Sequence, residues 1–263
     1  MNNKERQELI EGLRNEKHLD AILIQECKKG NIELAQLLIK AGADVTSDNN
    51  AAIRFAAWNG YTEIVKSLIK AGADIHVDND HPIRFAAQHG HTETVKILMV
   101  AGANIQAEEN CAIRQAARKG YTEIVQMLLE AGSDATDCDN YAIKYASVNG
   151  NTDIVELFIK AGMDITVDDN YAIKYAAKGG YIKMVKMLIE AGADIHVDED
   201  FPLRKAAEEG KLEMVEFLID QGAHIQAHNE YALKRAYKKG YNEIVDLLEK
   251  RLIEQNRKKR QKR

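Results

Sequence analysis

A repeat of thirty residues constrains this chain of 263 residues more than any other feature of its sequence. Two columns of glycine recur at that interval, and the second column lies twelve residues behind the first. A fixed period of this size is typical of supersecondary units that stack on their neighbours and share one continuous core. The first column holds Gly30, Gly60, Gly90, Gly120, Gly150, Gly180, Gly210 and Gly240, and the second holds Gly42, Gly72, Gly102, Gly132, Gly162, Gly192 and Gly222.

Each repeat has the pattern of two short helices and a turn. Ile53 and Ala57 lie on the apolar side of a first helix, which we expect to end at Gly60 because glycine adopts the left-handed conformation that closes helices. A second helix carries apolar residues at helical spacing over 64–69 and ends at Gly72. The polar residues behind it predict a tight turn. Small residues let the first helices approach closely, and they stand at Ala56, Ala57, Ala86, Ala87, Ala116, Ala117, Ala176 and Ala177.

The repeats span residues 20–250 in eight units and define one repeat domain. Residues 1–19 hold Leu9, Ile10 and Leu13 at helical spacing, which predicts a helix that caps the exposed end of the stack. Residues 251–263 form a basic C-terminal tail. We expect this tail to continue the last helix to about Ile253 and to be unfolded beyond it, because its charges repel one another.

The composition is that of a soluble folded protein, with 45% hydrophobic and 29% charged residues. No apolar run approaches the roughly 20 residues that span a bilayer, and residues 1–6 lack the apolar core of a secretory signal. Cys27, Cys111 and Cys138 are far apart, which fits a reducing compartment and roles as small hydrophobic residues or incidental surface thiols. We therefore expect an intracellular, cytoplasmic protein.

The repeat resembles the ankyrin repeat, whose units carry the pattern T-P-L-H-x-A-A-x-x-G-H-x-E-I-V-x-L-L-L-x-x-G-A-D. Residues 53–65 and 71–75 follow that pattern with few departures. The resemblance covers roughly residues 20–250 and implies an all-α solenoid of about eight helix-turn-helix units joined by short turns or hairpins. It also implies a monomeric, non-catalytic module that binds a partner protein and needs no cofactor. The thirty-residue, Asn-rich form, with segments such as 171–174, resembles ankyrin proteins encoded by giant DNA viruses of amoebae.

Two departures from the ankyrin pattern predict local changes. The threonine that ordinarily caps the first helix is absent, and residues of preferred N-cap types stand one position earlier, so we expect the cap to have moved back by one residue. Those residues are Asn50, Asp80, Asn110, Asn140, Asn170 and Asp200. Arg or Lys, as at Arg54, replaces the hydrogen-bonding His of the family. We expect these cations to pair with acids of a neighbouring turn, at Asp74, Asp134, Asp164 or Asp194.

No constellation of residues in the sequence predicts catalysis or a metal site. The turns at 168–170 and 198–200 are acidic but lack the spacing of a calcium-binding loop. No nucleophile motif and no phosphate-binding glycine loop is present, so we expect neither an enzyme nor a cofactor. The histidines fall on turns and helix ends, which favours solvated roles over metal ligation; those weighed are His76, His81, His89, His91 and His196.

The end of the first helix varies from repeat to repeat while the core columns hardly change. In the ankyrin family, partners bind the concave face that is built from hairpin tips and this helix end. Trp58, the only tryptophan, is either an exposed interface residue or partly buried against the next repeat. Carried over by column, the implied binding face consists of Trp58, Asn59, Gln88, His89, Arg118, Lys119, Val148, Asn149, Lys178, Glu208 and Glu209.

The net charge of −5 combines an acidic body with a basic end. Residues 231–263 hold twelve Lys or Arg and four Asp or Glu, a balance of +8, so residues 1–230 carry −13. A nuclear localisation signal, a contact to an anionic surface and a solvated end all fit the run Arg257, Lys258, Lys259, Arg260, Lys262 and Arg263.

The leading interpretation is a module that binds a partner protein of unknown identity, with no membrane contact. The alternative is a nuclear regulatory factor whose basic tail directs import or contacts nucleic acid while the repeats recruit protein. An acidic body argues against the repeats themselves as the nucleic-acid surface, because such a surface needs a basic stripe.

Overall fold

The computed structural model describes Glu8, Glu11, Gly12 and residues 18–261, with side chains up to Arg257. Over residues 18–261 the protein consists of sixteen helices and connecting turns, and no strand occurs among the described residues. The prediction of an all-α fold is therefore confirmed. The predicted capping helix over residues 1–19 lies almost entirely outside the described residues.

The helices alternate between the first and the second helix of each repeat. The first helices are α1 (Leu19–Lys29), α3 (Ser47–Trp58), α5 (Val77–Gln88), α7 (Ala107–Lys119), α9 (Asp137–Val148), α11 (Val167–Gly179), α13 (Val197–Glu208) and α15 (Ala227–Lys239). The second helices are α2 (Ile32–Ala41), α4 (Thr62–Lys70), α6 (Thr92–Val100), α8 (Thr122–Glu130), α10 (Thr152–Lys160), α12 (Ile182–Glu190), α14 (Leu212–Asp220) and α16 (Asn242–Gln261).

The chain forms two compact units, a first unit of residues 1–138 and a second unit of residues 139–263. In the first unit, helices α1, α3, α5 and α7 pack side by side, and α2, α4, α6 and α8 form a second layer. In the second unit, α11, α13 and α15 pack in the same way, α10 packs against α12, and α14 packs against α16. Each unit is thus a stack of repeated helix pairs.

The invariant columns form the core of each unit. Ile53 and Ala56 of the first helix are fully buried, as are Ile64, Val65 and Leu68 of the second helix. The alanines allow the first helices to pack closely, as the sequence predicted. Cys27, Cys111 and Cys138 are free thiols, of which only Cys27 is fully buried. Burial raises the pKa of the Cys27 thiol to about 12.

The glycine columns close the helices, as expected. Gly60 has φ 73° and Gly72 has φ 93°, which are left-handed values that glycine adopts without strain. Gly30 is required for a second reason as well. A Cβ atom added there would lie 2.6 Å from the ring of Tyr61, which belongs to the next repeat. The first glycine column therefore also makes room for an aromatic ring of the next repeat at Gly30, Gly60, Gly90, Gly150 and Gly210, whereas Gly180 faces the Lys211 side chain.

A left-handed turn stands at the start of every first helix from α3 onward. In α3 it comprises Asp48, Asn49 and Asn50, with φ values of 50°, 54° and 53°, so the right-handed helix begins only behind Asn50. Asn and Asp tolerate this conformation better than most residues, because their short polar side chains form local hydrogen bonds. In the described residues this turn stands where short turns or hairpins were expected.

The expectation of a shifted N-cap is wrong. The backbone N–H of Asp74, in the next repeat, donates to Asn50 Oδ1 at 2.8 Å. An N-cap residue has an extended backbone, whereas φ 53° at Asn50 directs the side chain towards the following turn. The residues that accept from the next repeat in this way are Asn50, Asp80, Asn110, Asn170 and Asp200. This column links consecutive repeats.

The expected partners of the helix-start cations also need correction. Arg54 donates to the carbonyl oxygens of Asn49 at 2.9 Å and Asp48 at 3.1 Å, so its guanidinium binds the left-handed turn of its own repeat. Its charge partner is Asp78, at 3.3 Å, and not Asp74. The acids of the expected column accept instead from the backbone N–H two residues on, at Asp74, Asp134, Asp164 and Asp194.

The C-terminal tail is helical beyond the predicted limit. Helix α16 continues past Ile253 to Gln261 without a break, so the expectation of an unfolded segment from there to Gln261 is wrong. Glu, Gln, Arg and Lys are good helix formers, and cations near a helix C-terminus are stabilised by the helix dipole. These effects outweigh the mutual repulsion of the basic residues.

Candidate functional site

The predicted face residues of the first unit lie at the ends of three first helices. Gln88, His89, Arg118 and Lys119 stand where α5 and α7 end, at the same positions as Trp58 and Asn59 at the end of α3. Arg118 and Lys119 are exposed, and Gln88 and His89 are half-buried. The alanines just before these ends are fully buried, whereas the end residues are accessible, because the helical period turns consecutive side chains to different faces.

Trp58 belongs to a stack of aromatic rings that joins α3 and α5. Its ring lies 4.7 Å from that of Phe85 and 4.6 Å from that of His89, measured between centroids. Phe85 in turn stacks on His81 at 3.9 Å. Trp58 still exposes 41% of its surface. It is therefore partly buried against the next repeat and partly exposed, so each of the two alternatives considered for it applies in part. We call Trp58, His81, Phe85 and His89 the aromatic stack.

His81 is the member of the aromatic stack whose ionisation is most altered. Its pKa is lowered to about 4, chiefly because burial disfavours the charged ring, and further because the guanidinium groups of Arg54 and Arg84 repel a proton. His81 is therefore neutral at pH 7 and contributes an apolar ring to the aromatic stack. A neighbouring residue, His91, donates from Nε2 to the Trp58 carbonyl oxygen at 2.9 Å.

The corresponding positions of the second unit carry charges that pair with each other. Glu208 lies 2.6 Å from Lys205 and 3.4 Å from Arg235, and the Tyr231 hydroxyl donates to it at 3.4 Å. The hydrogen bond from Lys205 is the main reason that the pKa of Glu208 is lowered. Glu208 is thus largely occupied by partners within the chain. We call Lys205, Glu208, Tyr231 and Arg235 the charged network.

The remaining predicted face residues of the second unit are less closely connected. Lys178 lies 3.9 Å from Glu209, and its ammonium group is 5.9 Å from the ring centroid of Tyr175. Asn149 is exposed, whereas Val148 is half-buried and offers its carbonyl to the Tyr181 hydroxyl at 3.5 Å. The structure therefore brings together some of the predicted residues in local groups, whereas others are exposed at the ends of their helices.

The predicted localisation signal lies mostly outside the described side chains. Arg257 is an exposed residue of α16. The side chains of Lys258, Lys259 and Arg260, and the whole of Lys262 and Arg263, are outside the described part of the chain. The role of this run stays a prediction.

One group of side chains was missed by the sequence analysis. His196, Asp200 and His224 converge so that one potential ligand atom from each lies within 4.8 Å of the other two, and among the described residues they are the one such group. His196 and Asp200 are four residues apart, but His224 comes from the next repeat. Only the geometry of the left-handed turn brings all three together.

Among the described residues, no helix combines the length and the apolar character needed to cross a membrane.

Comparison with known proteins agrees with the stacked helix pairs. The family model described as ankyrin repeats, in three copies, matches residues 3–79, 77–139, 115–199 and 173–259. No curated protein sequence matches the chain significantly. Since the family matches extend over nearly the whole sequence, and since the helix pairs, glycine ends and alanine contacts follow the pattern of that family, the chain belongs to the ankyrin-repeat family.

Proposed function

We propose that this protein is a non-catalytic module that binds a partner protein through the ends of its first helices. Ankyrin repeats are protein-interaction modules in general, and this chain has their architecture. The proposal assigns the contact to the variable residues that follow the alanine columns. In each repeat, the buried columns then determine the fold and the variable helix ends form the binding surface. The surface residues can differ between repeats while the packing of the core stays the same.

The observation that carries the proposal is the exposure of Trp58. A side chain of this size with 41% of its surface accessible leaves a large apolar area in contact with water. Its ring is fixed by Phe85 and His89, so little side-chain freedom remains to be lost on binding. Tryptophan residues held in this way are enriched among the residues that dominate interface energies.

The polar residues at the ends of α3 and α7 favour a partner with both apolar and acidic character. Arg118 and Lys119 are exposed at the end of α7, while Asn59 is exposed beside Trp58. A partner segment that places an aromatic or aliphatic group on Trp58 and carboxylates near these cations would have complementary charge, which favours association rate and specificity.

The proposal is tested by affinity capture from the source cell with the wild-type chain and two variants. Trp58→Ala removes the exposed ring, and we expect it to weaken capture of the specific partner by about tenfold or more, since hot-spot residues contribute about 2 kcal/mol. Val100→Ala is the matched control, because Val100 is 82% exposed but lies at the end of a second helix. We expect it to retain the partner.

Binding that survives Trp58→Ala and the double variant Arg118→Ala, Lys119→Ala would contradict the proposed surface. Circular dichroism and thermal unfolding of each variant distinguish a lost contact from a lost fold. Equal weakening by Val100→Ala would place the contact on the second helices instead. The origin of the chain from a virus and its cellular location stay predictions.

A further inference from the structure

Three side chains at the junction of the last two repeats have the arrangement of a metal site. His196 Nδ1 lies 2.8 Å from Asp200 Oδ1, and His224 Nδ1 lies 3.0 Å from Asp200 Oδ2. The imidazole rings are 4.5 Å apart between centroids. Two imidazole nitrogens and a carboxylate oxygen are a ligand set that suits Zn²⁺ and its neighbours among the divalent transition metals.

The carboxylate at the centre of this group is fixed before any ion arrives. Asp200 exposes only 3% of its surface, and its Oδ1 accepts the backbone N–H of His224 at 2.9 Å. That bond holds the carboxylate so that Oδ1 faces His196 Nδ1 and Oδ2 faces His224 Nδ1. Hydrogen bonds of this kind, from outside the ligand set, orient metal ligands and strengthen binding.

The two histidines are accessible while the aspartate is not. The side chain of His196 is 42% exposed and that of His224 is 70% exposed, so an ion can reach both rings from solvent. His196 is held at the start of α13, where its backbone N–H donates to Asp194 at 2.8 Å. The site is open on the side where a fourth ligand would stand.

We propose that His196, Asp200 and His224 bind one divalent transition-metal ion, with Zn²⁺ as the representative ion and water in the fourth position. In a tetrahedral site with bonds of about 2.0–2.2 Å, the ligand atoms lie about 3.3–3.5 Å apart. The observed separations of 2.8 Å and 3.0 Å end on the two different oxygens of Asp200, and one ligand atom from each residue lies within 4.8 Å of the other two. A single ion would therefore meet both carboxylate oxygens, or the two rings would shift towards one of them. A neutral imidazole that carries its proton on Nδ1 moves it to Nε2 through solvent when Nδ1 binds the ion, and an imidazolium releases one proton to water.

The first unit contains a natural control for this assignment. His76 and Asp80 occupy the same columns, with Nδ1 2.9 Å from Oδ1, and Asp80 accepts the backbone N–H of residue 104 at 2.7 Å. Residue 104 is Asn, so this position offers two of the three ligands. The turn that Asp80 and Asp200 stabilise exists in both places. The contact between turns is the same in both places, so it does not by itself explain why a second imidazole stands beside Asp200. The inference of a metal site depends on that second imidazole.

A bound ion would link two consecutive repeats. His196 and Asp200 belong to the repeat of α13, and His224 lies in the turn before α15. A ligand that binds only the folded state stabilises it in proportion to the logarithm of its concentration above the dissociation constant. The proposed ion is thus a reversible clamp on the last two repeats, independent of partner binding by the helix ends.

The test uses the full chain without an affinity tag, titrated with Zn²⁺ by calorimetry and with Co²⁺ by absorption spectroscopy. We expect one site per chain and a Co²⁺ spectrum without thiolate charge-transfer bands. His224→Asn recreates the residue of the first unit and should weaken Zn²⁺ binding by more than the roughly tenfold caused by loss of an outer-shell partner. His228→Asn, which changes an exposed histidine paired with Glu199 at 3.1 Å, should leave binding unchanged.

A gain of binding provides the complementary measurement. Asn104→His places a second imidazole beside His76 and Asp80, and we expect the stoichiometry to rise from one ion to two per chain. Thiolate bands with Co²⁺, or unchanged Zn²⁺ affinity in His224→Asn, would show that the ion is adventitious and would overturn the proposal. A stoichiometry of one in Asn104→His would contradict the claim that these columns position the ligands.

Discussion

The first and second units share one repeat framework but differ in part at the cation that starts their first helices. The first unit has arginine there from α3 onward, whereas the second unit has Lys144 and Lys174 and keeps an arginine fork only at Arg204. Arg84 of the first unit donates to the carbonyl oxygens of Asp78 at 2.7 Å and Asn79 at 2.8 Å, within its own repeat. Lys174 of the second unit reaches instead to Asp198 of the next repeat, at 2.8 Å. A guanidinium binds two acceptors through a fixed fork, whereas an ammonium acts as a compact point charge. At this column, Arg84 thus stabilises the turn of its own repeat, whereas Lys174 links its repeat to the next one.

The ends of the first helices differ just as clearly. The first unit presents the aromatic stack, in which His81 is neutral and packs on Phe85. The second unit presents the charged network, in which Glu208 accepts from Lys205. Because the buried columns are nearly identical, the backbone does not depend on which chemistry its surface carries. This independence is what an interaction module needs, and it can be tested column by column.

The largest effect should come from the shared framework. Ile83→Ala and Ile173→Ala remove fully buried side chains from the same column of the two units. We expect each to lower the free energy of unfolding by about 2–5 kcal/mol, through lost burial and the cavity that remains. Urea unfolding followed by circular dichroism measures both. A cost that is large in one unit and negligible in the other would show that the units do not share one type of core.

A smaller effect is expected where the framework departs from its own pattern. Ser147 stands in a column that holds alanine in neighbouring repeats, and it is fully buried. In the described part of the chain its hydroxyl has no hydrogen-bond partner. Ser147→Ala should therefore stabilise the protein by about 1–2 kcal/mol, the penalty of a buried unpaired polar group.

The matched reverse change is Ala177→Ser, at the corresponding position of the next repeat. We expect it to lower the free energy of unfolding by a similar amount. Thermal unfolding of both variants beside the wild type measures the difference. If Ser147→Ala were neutral or destabilising, the hydroxyl would have a stabilising role that its surroundings do not reveal.

The cation column should distinguish Arg84 of the first unit from Lys174 of the second. Arg84→Lys keeps the charge but loses the fork to the two carbonyls, and we expect it to cost about 1 kcal/mol. Lys174→Arg keeps a cation near Asp198 and adds the possibility of a fork, so it should not destabilise the second unit. Chemical unfolding of the two variants tests the contrast. No loss of stability in either variant would mean that charge alone matters at this column.

The framework is predictable from the sequence because it is repeated. Ile53, Ala56 and Gly60 each recur at thirty-residue intervals, and their size and conformational freedom lead directly to burial, close packing and helix ends. Repetition averages out the ambiguity of any single position. For that reason the fold class and the helix boundaries near the glycines were predicted correctly.

The turn chemistry was not predictable, because its residues are suited to two roles. Asn50 is a preferred N-cap residue and also one of the few non-glycine residues that tolerate a left-handed backbone. The sequence does not distinguish these roles, and only the φ of 53° does so. The meeting of His224 with Asp200 depends on the same turn, so the possible metal site was missed together with it.

Acid should affect the aromatic stack before it affects the charged network. The pKa of His81 is lowered to about 4, so the unfolded chain binds the extra proton first, and stability is lost as pH falls from about 6.5 towards 4. His81→Phe installs the residue that the second unit has at position 201. We expect the midpoint of thermal unfolding to fall by about 2 °C less in this variant between pH 7 and pH 4.5.

Charged groups near His81 also affect its pKa and have to be considered in that measurement. Arg54 and Arg84 repel its proton, and Asp78 opposes this by favouring it. Because the arginines stay charged throughout the range, the difference between wild type and His81→Phe isolates the imidazole. An identical fall in both proteins would mean that His81 titrates in the folded state as it does in the unfolded chain.

The charged network should give the smallest effect, and one that salt removes. Glu208 contributes stability above its unfolded pKa near 4.5 and loses it as pH falls further, because its folded pKa is lowered. Glu208→Gln should cost at most about 1 kcal/mol at low salt, since partly exposed pairs are screened. In 0.5 M NaCl, a condition of roughly 4 Å screening length, the cost should shrink. Glu209→Gln is the control, because its nearest cation, Lys178, lies 3.9 Å away. An effect of Glu208→Gln that persists in salt would show that Glu208 acts by packing, as the aromatic stack does, and the contrast between the two units would fail at this column.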